Sequence, residues 1–97
     1  MANLIRVDPW KTDAVQKYLK DTLSDVSVEH MPRGAAVLFI VQGRRNNQSR
    51  LETLHQLWVG RSFFDRYVDP GSLRSALRGA DVVQSLRRAR DKVVELS

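Results

Sequence analysis

Apolar positions recur with two different periods along this chain. Val15, Tyr18, Leu19 and Leu23 repeat at helical spacing. They follow Asp8-Pro9, a pair suited to a helix start. The aspartate accepts from free N–H groups, and the fixed φ of proline fits the first turn. Upstream, residues 2–7 predict a short first strand with Ile5 and Val7 on one face. Residues 25–31 change period: Val26, Val28 and His30 alternate with polar neighbours, which predicts a half-buried strand. Pro32-Arg33-Gly34 predicts a turn. The run AAVLFIVQ at 35–42 is apolar at consecutive positions and rich in β-branched side chains. That pattern predicts a strand covered on both faces or set at the centre of its sheet.

Past residue 43 the chain reads as helical. Ser49 and Glu52 have capping-box spacing, and Leu51, Leu54, Leu57 and Trp58 fall on one face of the helix it would start. Phe63, Phe64, Tyr67 and Val68 fall on a rotated face, so a break or kink is expected near Gly60-Arg61-Ser62. Asp69-Pro70-Gly71-Ser72 predicts a turn and restart, with Leu73, Ala76 and Leu77 lining a short helix up to Gly79. Asp81 would cap a last helix striped by Val82, Leu86, Ala89, Val93 and Leu96. The expected architecture is one α+β domain over 1–97: a small antiparallel-dominated sheet in the order β-α-β-β, with C-terminal helices packed on one face.

Composition narrows the classes of function. Ninety-seven residues, 42% of them apolar and 28% charged, suit one modest globular core. The longest apolar run is far too short for a bilayer, and the first ten residues lack the pattern of a secretory signal. No cysteine is present, which excludes disulfides, thiolate nucleophiles and cysteine zinc sites. A cytoplasmic location is the expectation. The net charge of +5 lies wholly within residues 43–97, where eleven bases, ten of them arginine, meet six acids. Such asymmetry is one mark of a surface for nucleic acid or another polyanion.

Chemistry has few footholds. His30 and His55 are the only histidines and have no metal-ligand spacing. No serine sits in a nucleophile elbow. Neither a cofactor nor a metal is expected. The stretch QGRRNNQSRLE at 42–52 offers Arg44, Arg45 and Arg50 as phosphate ligands, with Arg61 and Arg66 beside aromatics further on. Against it, Gly43 is the loop's only glycine, and Glu52 would put a negative charge where an anion would sit. A polar strand-to-helix turn needs the same residue types. On the last helix, Asp91 and Glu95 interrupt Arg87, Arg88 and Lys92, as on a solvated face, while Arg90 intrudes into the apolar arc.

Two expectations follow from these patterns. The first is a small basic non-enzymatic module binding nucleic acid or another polyanion through Arg44, Arg45, Arg50, Arg61 and Arg66. The alternative is a protein-interaction module or homodimeric adaptor using Phe63, Phe64, Tyr67 and Arg90 of the C-terminal helices. A small cofactor-independent enzyme with His30 or His55 as its base is a third choice.

Overall fold

A computed structural model of the chain describes residues 7–23, 25–44, 51–89 and 92–96. The order is α1 (Pro9–Thr22), β1 (Val26–Arg33), β2 (Ala36–Arg44), β3 (Leu51–Gly60), α2 (Arg61–Asp65), α3 (Pro70–Gly79), α4 (Val82–Ala89) and β4 (Val93–Leu96). The four strands form one mixed sheet in the order β1-β2-β3-β4. β1, β2 and β3 are a meander of antiparallel neighbours, and β4 joins β3 in parallel. The α+β class, the small sheet and the helices on one face are as the sequence predicts. The strand expected at 2–7 lies outside the described residues, apart from Val7.

α1 begins where Pro9 can occupy the first turn, although the Asp8 side chain makes no capping bond. Val15 and Leu19 are fully buried and Tyr18 is nearly so, so the predicted stripe is the face that meets the sheet. Burial pushes the Tyr18 hydroxyl above its ordinary range, with Arg78 and Arg74 pulling the other way, so it remains a neutral packing group between α1 and α3. An Arg74–Asp21 contact of 3.3 Å on the exposed side ties the same two helices.

The predicted turn at 32–34 is displaced by two residues. β1 continues through Pro32 and Arg33, and Arg33 pairs with Ala36 across a two-residue loop. Gly34, at φ 58°, supplies the left-handed conformation needed at the first position of such a loop. Pro32 is tolerated because β1 is the edge strand of the described sheet, with no ladder partner for its outer N–H groups among the described residues.

Residues 51–60 are a strand, not the capped helix expected from Ser49 and Glu52. Glu52 pairs with Gly43 inside the sheet, and Ser49 lies outside the described residues. The misleading period has a physical origin. The register with β2 slips between Val41 and Gln42, leaving Leu54 as an extra residue in β3. Beyond that bulge, Leu57 and Val59 alternate into the core in the ordinary way. One inserted residue thus converts strand spacing into intervals of three that imitate a helix face. Leu54 lies over Gly43, where an added Cβ would come within 2.6 Å of its Cδ1. β2 has an apolar edge to fill on each side, and that tertiary demand outweighs local helical spacing.

The C-terminal helix is likewise shorter than predicted. α4 ends at Ala89, and Val93–Leu96 form β4 along the free edge of β3. Val94 and Leu96 turn inward against the core. The three helices between β3 and β4 supply the long connection that a parallel pair requires. The restart at Asp69 is as predicted. Its carboxylate accepts from the Ser72 N–H at 2.9 Å and from the Ser72 hydroxyl at 2.8 Å. Those bonds hold the Asp69 carboxyl below the usual carboxylate range. A depressed pKa contributes stability above the unfolded value and loses it as pH falls through the folded one. Asp69→Ala should therefore lower the thermal midpoint near neutrality and make no difference in strong acid, a comparison two melting curves provide.

The core is one cluster between a single sheet face and the helices. Val28, Val37, Phe39, Val41, Leu57 and Val59 come from the strands; Val15, Leu19, Phe63, Phe64, Leu73, Leu77, Val82 and Leu86 come from the helices. No described helix is long and apolar enough to cross a membrane.

Candidate interaction surface

Side chains alternate between the two faces of a sheet, so the strand register fixes what stands on the face away from the core. Met31 of β1 is opposite Leu38, Leu38 is opposite Trp58, and Trp58 is opposite Glu95. The next row, about 7 Å along the strands, holds Glu29, Ile40, Gln56 and Val93. A third holds Ser27, Gln42 and Thr53, and Arg33 stands beyond Met31 at the other end. Met31, Leu38, Ile40 and Trp58 are half-buried among their neighbours and belong to neither the core nor the apolar residues packed on it. Val93 is 44% exposed and Leu51, beside Arg44 at the hairpin end, is 57% exposed. Among the described residues no helix covers this face.

The non-alternating run of β2 now has a structural meaning. Val37, Phe39 and Val41 fill the core, while Leu38 and Ile40 point to the opposite side. The sequence predicts a strand either covered on both faces or centrally placed. β2 is central, with described helices on only one of its two apolar faces.

Of the five arginines expected to form an anion site, the described ones, Arg44, Arg61 and Arg66, do not share one patch. Arg44 is exposed at the hairpin end of β2, where it pairs with Leu51. Arg45 and Arg50 lie outside the described residues. Arg61 and Arg66 follow the opposite end of β3, about 30 Å from Arg44 at ordinary strand rise. Arg61 also meets Asp65 at 3.6 Å, one turn along α2. The residues expected to form a partner surface are placed differently from one another. Phe64 is fully buried and Phe63 is 5% exposed, so both are consumed by the core. Phe64 packs against Phe39 with ring centroids 6.5 Å apart, and Phe63 against Tyr67 at 5.2 Å. Tyr67 remains half-buried at the edge of that cluster. Arg90 lies outside the described residues.

His30 is exposed and shares a 3.0 Å hydrogen bond with Gln16, whose amide donates to the Val28 carbonyl at 2.7 Å. His55 is half-buried in β3 opposite Val41. Among the described residues no group of three acidic or histidine side chains could hold a metal. A shallow depression along α1, lined by Asp13, Gln16, Lys17, Lys20 and Asp21, is a mixed-charge helix surface.

Sequence reasoning missed Trp58 and Met31 as surface residues because it assigned the first to a helix and ended the strand of the second early. The available signal was the apolar run of β2, which asks for cover on a second face. Fold and surface together define a class: a small α+β domain with a mixed four-stranded sheet, helices on one face and a half-apolar opposite face. Compared with protein families, curated proteins and solved structures, the chain matches none of them.

Proposed function

We propose that this chain is a non-enzymatic protein-interaction module whose working surface is the face of the sheet opposite the helices. The observation that carries this reading is the central strand β2, apolar on both faces but covered by described helices on only one. Apolar side chains grouped on a surface and rimmed by polar ones are the usual form of a protein contact. Trp58, beside Leu38 and Met31, is the kind of residue that anchors such contacts. The charges on the same face favour a protein over a polyanion. Arg33 and Arg44 are offset by Glu29 and Glu95, and each acid would repel a phosphate backbone.

Binding of nucleic acid or another polyanion is the second reading. The exposed Arg44 at the hairpin end and the basic balance of residues 43–97 favour it. Titration of labelled single- and double-stranded oligonucleotides at two salt concentrations separates the two. The interaction module predicts no saturable binding at physiological salt. Salt-sensitive binding that disappears in Arg44→Ala would overturn it, because affinity from neutralised phosphates falls steeply with salt.

A further inference from the structure

We propose that the occupant of the sheet face that no described helix covers is a second copy of this chain, stacked face to face about a twofold axis along the Met31–Leu38–Trp58 row. This inference rests on the protein-interaction reading and names its partner. Two observations carry it: the order of charges along β1 and the size of the face.

Glu29 and Arg33 are exposed and stand on the same face, one row to either side of Met31. They are four residues apart on an extended strand, about 13 Å, too far to pair within one chain. A twofold axis lying in the interface along the Met31 row exchanges the two flanking rows. It sets Glu29 of one copy over Arg33 of the other, and the reverse pair forms by symmetry. The same operation stacks Met31, Leu38 and Trp58 on their own counterparts, so apolar meets apolar along the axis. Glu95 would face its own counterpart, but it is exposed on β4 at the sheet edge and stays at the wet rim. Aligned sheets pack about 10 Å apart with strands within about 30° of each other, which keeps this correspondence close to the axis.

Four strands about 4.8 Å apart and the three rows that this axis superposes, about 7 Å each, give a shared face of roughly 400 Å². Two copies would bury about 800 Å² in all, which places the contact among weak, transient interfaces. The dimer should therefore be reversible, with dissociation in the micromolar range rather than the nanomolar.

The experiment is sedimentation equilibrium of the full chain and three charge variants: Glu29→Arg, Arg33→Glu and the double swap. Each single change puts like charges across the axis and should raise the dissociation constant about tenfold or more. The double swap should restore the parent value, which a purely local effect on β1 would not do. Trp58→Lys should leave a monomer. A parent chain that stays monomeric up to about 1 mM overturns the second copy as occupant and leaves the face to another protein. Self-association that survives Trp58→Lys overturns both the twofold and the use of this face. Single variants that weaken the dimer without rescue by the double swap overturn the twofold pairing.

Discussion

Phe39→Ala should cost about 3–5 kcal/mol and lower the thermal midpoint by more than about 12 °C. Phe39 is fully buried at the middle of β2, opposite Leu57 on one side and His30 on the other. Its ring packs against Phe64 from α2 and lies 5.9 Å from the His30 ring. Truncation removes the one large side chain that joins the central strand to the helical layer. The neighbours cannot collapse into the space, because Val37 and Val41 on the same strand are already close to fully buried. A domain of this size has only about 5–15 kcal/mol of stability in total, so the variant should be partly unfolded well below the parent's transition. Urea or thermal unfolding followed by circular dichroism would measure this. A shift of only a few degrees would mean that the core is assembled differently.

How much of this was legible in the sequence depends on how local each signal is. α1, β1 and β2 were legible because their apolar spacing is written within a few residues, and the restart because the Asp69 cap is equally local. β3 was not, because a bulge at Leu54 broke its alternation and left leucines at intervals of three. β4 was not, because Val93 and Leu96 continue the spacing of Leu86 and Ala89 even though the helix has ended. In both segments the deciding influence is a neighbouring strand edge, which no local pattern records. The working surface was legible only as an unanswered demand, the apolar second face of AAVLFIVQ. The aromatic cluster at 63–67 drew attention as a surface, yet Phe63 and Phe64 fill the gap between the sheet and the helices. Of the arginines expected to act together, Arg44 and Arg61 lie far apart, since β3 separates them by its full length.

The second large effect is a contrast on the same two strands. Changing both Ile40 and Trp58 to lysine should leave the fold standing and abolish association through the open face. Ile40 is next to Phe39 in sequence but points away from the core, and Trp58 stands between Leu57 and Val59 in the same way. Each new lysine would have an acid as its cross-strand neighbour: Glu29 beside position 40 and Glu95 beside position 58. Opposite charges in that relation are mildly favourable within the sheet. The loss of half-buried contacts on the free surface should total about 2 kcal/mol or less. Two buried positive charges would be prohibitive in any complex that covers the face.

Thermal unfolding of Ile40→Lys/Trp58→Lys at micromolar dilution, beside the parent and Phe39→Ala, tests the central claim most directly. The open face predicts a midpoint within several degrees of the parent and far above that of Phe39→Ala. A double variant that unfolds as readily as Phe39→Ala would contradict it, because Ile40 and Trp58 would then be holding the chain's own fold together.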